Sequence, residues 1–222
     1  MLNDFLKFTA QISNLNCKDE AIEWLFYSGM LFGSKSKWWA DWGERYTQHE
    51  GIDITFYRTL KRDNFEDIGG GSNIKMFDAK TKVPVIADGK ILNICTDFLG
   101  QSVIIEHLPL INRRELSFKI KQGQSEQSTM VGIYSHIKAD QNLECGMAVS
   151  KGDIIGTVAD TSMRKSKIPP HLHISIAEIS RLIPFEELNW NLFGNSDNHP
   201  DKVKFFNPIN FNINQTHLIK VD

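Results

Sequence analysis

The stretch His171-Leu172-His173-Ile174-Ser175-Ile176-Ala177-Glu178-Ile179 (HLHISIAEI) decides how this chain is read. Branched apolar residues alternate there with polar or small ones, which is the two-residue period of a β-strand. His171, His173, Ser175 and Ala177 share one face, while Leu172, Ile174 and Ile176 share the other and point into a core. Two imidazoles are therefore presented side by side on a strand whose opposite face is buried.

Working outward, the same signal recurs. VGIYSHI (131–137), SVIIEH (102–107) and the glycine-punctuated GMAVSKGDIIGTV (146–158) read as strands, and Ile52, Ile54 and Phe56 alternate with Asp53, Thr55 and Tyr57. VPVIADGKILNI (83–94) carries an Asp88-Gly89 pair between two apolar runs, a strong hairpin signal. Many short strands separated by turn residues predict a mainly β fold, an antiparallel barrel or sandwich. The first third reads differently. Phe5, Leu6 and Ile12, then Ile22, Leu25 and Phe26, recur at roughly helical spacing, with a helix start at Asn16 and a stop at Gly33. A short aromatic stretch with Trp38, Trp39 and Trp42 follows. Residues 58–82, with Gly69-Gly70-Gly71, and residues 112–129, with the polar run KQGQSEQS, read as loops inserted between strands. The first of these leaves the chain just after Asp53 and is expected to border the groove there.

Composition narrows the function. The 222 residues leave room for one large domain, or one domain with extensions. Lys plus Arg number 25 against 27 for Asp plus Glu, a net charge of −2, so no basic excess points to nucleic acid. No apolar run approaches the roughly 18 residues of a membrane span. MLNDFLKFTAQI at the start carries Asp4 and Lys7 where a signal peptide would be apolar, so neither a signal peptide nor an anchor is expected. Three cysteines (Cys17, Cys95, Cys145) are too few and too scattered for a disulfide scaffold or a thiolate metal knot.

The seven histidines carry the chemistry. His49 and Asp53 stand four apart in HEGID, where Gly51 and the β-branched Ile52 and Ile54 favour an extended chain, and an even separation then gives them one face. Two strands each present a pair of metal-capable side chains on one side. His, Asp and His ligands with an open fourth position suit catalytic Zn²⁺, and the absence of thiolate agrees. Further histidines near such an ion would be free to move protons or to stabilise an oxyanion. His107, His199 and His217 are read as surface or hydrogen-bonded residues, His107 lying nearest the site. Tyr134 is expected on the same strand face as His136.

The order HxxxD (His49 to Asp53), YxH (Tyr134 to His136) and HLH (His171 to His173), with VPVIADGKI and VSKGDIIGTV between, resembles the lysostaphin/LytM-type zinc endopeptidases of bacterial cell walls. The resemblance covers roughly residues 43–178. It implies an antiparallel β core of the duplicated hybrid type with a groove over one sheet. It makes residues 43–180 the peptidase domain, with insertions at 58–82 and 112–129. Residues 1–42 become a helical N-terminal extension, and 181–222 a C-terminal extension packed on the domain. By resemblance, His49, Asp53 and His173 are the Zn²⁺ ligands, His136 and His171 the catalytic pair, and peptidoglycan peptides the partners. The family also implies a periplasmic or extracellular setting, with a non-catalytic cell-wall peptide-binding or regulatory module as the alternative function.

Overall fold

A computed structural model describes residues 2–15, 21–60, 74–107, 128–163, 167–210 and 218–221. In chain order the elements are α1 (Leu2–Ile12), β1 (Ala21–Tyr27), β2 (Ile52–Ile54), β3 (Phe56–Leu60), β4 (Lys82–Pro84) and β5 (Gly89–Thr96). After these come β6 (Gln101–Glu106), β7 (Ser128–Ala139), β8 (Ala148–Val149), β9 (Ile154–Val158), β10 (Leu172–Ser180), the short α2 (Trp190–Phe193), β11 (Val203–Phe206) and β12 (Leu218–Val221). The fold is mainly antiparallel β, with a helix at its N-terminal end. No helix among the described residues is long and apolar enough to cross a membrane.

Most strands join one sheet that runs β11-β10-β7-β6-β5-β8, with β2 paired to β10 and β9 linking β7 to β4. β2 and β11 occupy the same edge of β10 one after the other: β2 meets its first residues and β11 its last. A smaller sheet places β1 between β3 and, in parallel, β12.

Both faces of the large sheet are buried. Leu172, Ile174, Tyr134, Val103 and Ile105 face the larger core, which also takes Leu2, Phe5 and Leu6 of α1 and Trp24 and Phe26 of β1. Ile104, Val131, Ile133 and Ala177 face the other way, where Leu188, Phe193 and Val203 from the C-terminal segment cover them. α1 buries Leu2, Phe5, Leu6, Thr9 and Ala10, the i, i+3, i+4, i+7, i+8 stripe of an amphipathic helix.

Two local expectations are corrected. Helical spacing holds only for Leu2–Ile12, because Ala21–Tyr27 is a strand. That run of seven residues is aromatic-rich and buried on both sides, and pairing with β3 outweighs its local helical pattern. Asp88-Gly89 is not the turn of a hairpin either, since β4 pairs with β9 while β5 pairs with β6 and β8. Gly89 instead lies where a Cβ would collide with the Glu106 carbonyl oxygen, and Asp88 Oδ1 accepts the Lys151 N–H at 2.7 Å. A glycine needed for close backbone approach has the same local signature as one needed for a turn. The glycine tract 69–71, and residues 112–127 of the second insertion, lie outside the described residues.

His107 follows β6 and is fully buried. Its Nδ1–H donates to the Asp88 carbonyl (3.1 Å), and its Nε2 accepts the Tyr134 hydroxyl (3.1 Å), which in turn accepts the Ile86 N–H (2.9 Å). Burial pushes the His107 imidazole down to about 4, against the favourable carbonyls of Asp88 and Ala87. The unfolded chain binds this proton near pH 6.5 and the folded chain does not, so stability falls as pH drops from about 6.5 towards about 4. The melting temperature should decline between pH 7 and pH 5, and the decline should be shallower in His107→Gln. An identical slope in that variant would assign the pH effect elsewhere.

Candidate metal and catalytic site

The site forms where β2 enters the sheet beside β10. Register places Asp53 opposite His173, and His173 opposite Ser135 on β7, so these three share a face. His49 lies just before β2 and is held from outside the sheet: its N–H donates to the Ser34 carbonyl (3.0 Å), and its carbonyl accepts the Gly33 N–H (2.8 Å). The even spacing therefore works through a loop clamp for His49 and a strand position for Asp53. Gly51 between them touches β10 so closely that a Cβ would lie 2.6 Å from Ser175 Oγ and 2.8 Å from His173 Nε2.

His49, Asp53, His136, His171 and His173 all line one cleft of about 100 Å³. His49 Nε2, Asp53 Oδ1 and His173 Nδ1 form a triangle with sides of 3.1, 3.0 and 2.9 Å. All three residues are buried, and they form the one metal-capable group of this kind among the described residues. Bonds of about 2.0–2.1 Å in tetrahedral geometry hold neighbouring donors about 3.4 Å apart, so the triangle is near the size Zn²⁺ requires.

Proton accounting supports the fit. His49 Nδ1 faces the Leu31 carbonyl at 3.2 Å. A carbonyl only accepts, so the ring proton sits on Nδ1 and the lone pair on Nε2. His173 Nε2 lies 2.7 Å from Ser175 Oγ, which can accept its N–H and leave the Nδ1 lone pair facing inward. The other oxygen of Asp53 is already engaged, by Trp38 Nε1–H at 2.6 Å and Arg45 Nη2 at 3.3 Å. Three electron-rich atoms thus converge with their outer atoms tied elsewhere, the arrangement a cation relieves.

Electrostatics follow the same geometry. Burial would raise the Asp53 carboxyl, but the neighbouring imidazoles of His49, His171 and His173 hold it well below the usual range. Burial lowers His49, with Asp53 opposing. Burial also pushes His171 down to about 3, Asp53 opposing and His136 adding to the fall.

His171 and His136 stand beside the triangle, their rings 4.8 Å apart. His171 donates Nδ1–H to the Pro169 carbonyl at 2.9 Å, and its Nε2 lies 3.8 Å from Asp53 Oδ1. His136 reaches the site through an irregularity. Pairing between β6 and β7 shifts so that Ser135 and His136 together oppose Ser102, and His136 has φ +63°. A bulge breaks the strand alternation and re-aims one side chain. Tyr134 and His136 consequently do not share a face. Tyr134 packs in the larger core, and His136 lines the cleft.

Several residues with no motif of their own complete the site. Trp38 and Arg45 hold the outer oxygen of Asp53, and Arg45 stacks over Trp39 at 4.6 Å. Asp97 Oδ1 faces His136 Nδ1 at 3.0 Å. Trp190 of α2 stands 5.7 Å, ring to ring, from His173. Nothing in the sequence marked Arg45, Asp97 or Trp190 as part of the site. His107 is behind the sheet, His199 is absent from the cleft lining, and His217 lies outside the described residues.

No protein-family model matches the chain, and no curated protein matches it. Solved structures similar to it include lysostaphin, at 16% identity and a TM-score of 0.35 over 70% of this chain and 49% of lysostaphin. Csd3 of Helicobacter pylori is 20% identical with a TM-score of 0.35, over 74% of this chain and 32% of Csd3. The catalytic domain of the prophage-encoded M23 protein EnpA from Enterococcus faecalis is 13% identical with a TM-score of 0.33, over 71% of this chain and 87% of that domain. The chain thus spans less than two thirds of the length of lysostaphin and of Csd3. At these values the likeness is coarse, and the chemistry stands on the side chains.

Gly51→Ala tests the local geometry directly. The added methyl would strike the Ile174 carbonyl oxygen and the His173–Ser175 pair. Overpacking of this kind costs about 1–3 kcal/mol, so the variant should melt lower than the unaltered chain. An unchanged melting temperature would mean that β2 does not lie this close to β10.

Proposed function

We propose that this chain is a zinc-dependent metallopeptidase that hydrolyses peptide bonds in bacterial peptidoglycan. The observation that carries this reading is the convergence of His49 Nε2, Asp53 Oδ1 and His173 Nδ1 in a buried triangle flanked by two further histidines. The order of the HxxxD, YxH and HLH elements supports the substrate class. When bound by His49, Asp53 and His173, Zn²⁺ supplies a Lewis acid that activates water near neutral pH and polarises a carbonyl.

The chain's own residues supply the rest. Ser175 and the Leu31 carbonyl keep the two ligand imidazoles in the tautomers that face inward, and Trp38 with Arg45 keeps the second Asp53 oxygen occupied. His171 has its Nδ1–H committed to Pro169, which leaves Nε2 to accept or return a proton at the cleft. His136, on the β7 bulge, presents its ring from the neighbouring side, so a peptide in the cleft would meet two imidazoles as well as the ion. Phe98 stacks edge-on against His136 at 4.7 Å and, with Trp39 and Trp190, walls the cleft with aromatic surface.

Purified peptidoglycans of several cross-link types, digested with the full chain and analysed by mass spectrometry for released termini, test the function. Cleavage that stops on chelation and returns with Zn²⁺ is the expected result. Binding to the wall polymer without any new termini would favour the non-catalytic peptide-binding module instead.

Two variants separate holding the metal from moving protons. Asp53→Ala should lose most bound zinc as measured by metal analysis, because a three-ligand site has none to spare. Full zinc occupancy in that variant would count decisively against the ligand set. His136→Ala and His171→Ala should each keep zinc while turnover falls by about 10²–10⁴-fold, the usual contribution of a positioned acid or base. Loss of metal in either would exchange the roles of ligand and catalyst.

A further inference from the structure

Asp97 belongs to none of the sequence elements that mark the site, yet its side chain is 1% exposed. Five donors reach its two oxygens. Oδ1 accepts the Leu99 N–H (2.8 Å), the Gly100 N–H (2.7 Å) and His136 Nδ1–H (3.0 Å). Oδ2 accepts the His136 backbone N–H (2.9 Å) and the Ser102 hydroxyl (2.8 Å). An aspartate that merely organises the β5–β6 turn needs only Leu99 and Gly100. Two of the remaining donors belong to a single residue, held by its backbone and its ring at the bulge.

The chemistry of this grip is specific. A carboxylate only accepts, so the proton of a neutral His136 ring must sit on Nδ1, and Nε2 carries the lone pair. The backbone bond to Oδ2 stabilises the left-handed φ of His136, a conformation a non-glycine residue needs support to keep. Behind Asp97 lies a second link. Ser102 gives its one hydroxyl proton to Asp97 and accepts both Trp190 Nε1–H (2.8 Å) and the Ser135 hydroxyl (2.8 Å), which fills its hydrogen-bonding capacity. Trp190 comes from the C-terminal segment, beyond the part of the chain that carries the motifs.

We propose that Asp97 is the positioning residue of His136, fixing the ring as the Nδ1–H tautomer with Nε2 presented to the substrate, and that Trp190 anchors Asp97 through Ser102. The proposal rests on the reading of His136 as a proton-transferring residue and adds the parts that aim it. It also makes the C-terminal segment a working part of the site.

The first test needs no variant beyond those used for assignment. The full chain, loaded with Zn²⁺ and labelled with ¹⁵N at histidine, is examined by NMR at neutral pH, and the His136 signal is assigned by its loss in His136→Gln. A neutral ring protonated at Nδ1 is expected, and a ring protonated at Nε2 alone overturns the role of Asp97. This measurement does not depend on catalysis, so a chain that cleaves no peptidoglycan sinks the peptidase reading while the positioning is still tested. The second test is Asp97→Asn, whose amide must turn a donor towards one of the five donors. Zinc content should stay at the unaltered level, the His136 tautomer should become mixed, and kcat should fall by about 10²–10⁴-fold with KM changed only a few-fold. Unchanged kcat and tautomer in a folded, zinc-loaded Asp97→Asn overturns the proposal. Trp190→Phe keeps the ring and removes only the indole N–H, and kcat should fall by about 3–10-fold, the value of one hydrogen bond. Unaltered kcat there overturns the anchoring role of Trp190.

Discussion

The structure around the cleft depends on one buried carboxylate. Asp53 is nearly inaccessible, and an ionised group in that position is tolerated only where donors or a cation meet its oxygens. β2 supplies the aspartate, β10 supplies His173 across the ladder, and the segment before β2 supplies everything else. Arg45 and Trp38 approach the outer oxygen, and His49 the inner one. To bring them there, residues 33–49 fold back on themselves: Lys37 N–H meets the Gly43 carbonyl, Arg45 N–H the Lys35 carbonyl, and His49 N–H the Ser34 carbonyl. Arg45 also donates to the Gly29 and Ser36 carbonyls, so one guanidinium ties this loop to the carboxylate. The tryptophan-rich stretch is therefore the back wall of the site.

Much of this was legible in the sequence where chemistry and local period coincide. HLH on an alternating strand shows its facing by itself, and HEGID does so nearly as well, although His49 proves to be clamped by a loop. The mainly β character followed from short β-branched runs between turn residues. What escaped has physical reasons. Ile22, Leu25 and Phe26 fit a helical stripe, and only pairing with β3 and β12 selects a strand there. Asp88-Gly89 carries the residues of a tight turn, but Gly89 is required by the backbone of Glu106.

The parts that aim the histidines were hidden for another reason. Strand alternation predicts that Tyr134 and His136 share a face, and the bulge opposite Ser102 defeats the prediction by one residue. Asp97, Ser102 and Trp190 reach the site across sequence separations that no spacing rule spans: Asp97 touches a residue 39 positions away, and Trp190 one that is 88 away. Side chains that coordinate come from short motifs, because one strand can carry two of them. Side chains that orient come from wherever the fold places an acceptor, and sequence pattern says little about that.

The segment after β10 also bears on how the chain could be shortened or divided. Ile183, Leu188, Phe193 and Val203 are buried against Ile104, Ile133 and Ala177, which would otherwise be a bare apolar sheet face. At about 1.5–3 kcal/mol for each large side chain buried, these contacts stabilise the folded state by on the order of 10 kcal/mol gross. Whole domains are stable by only about 5–15 kcal/mol. Residues 183–203 are thus one side of a shared interior, and a chain cut after Ser180 would expose a sticky β surface in place of a trimmed domain.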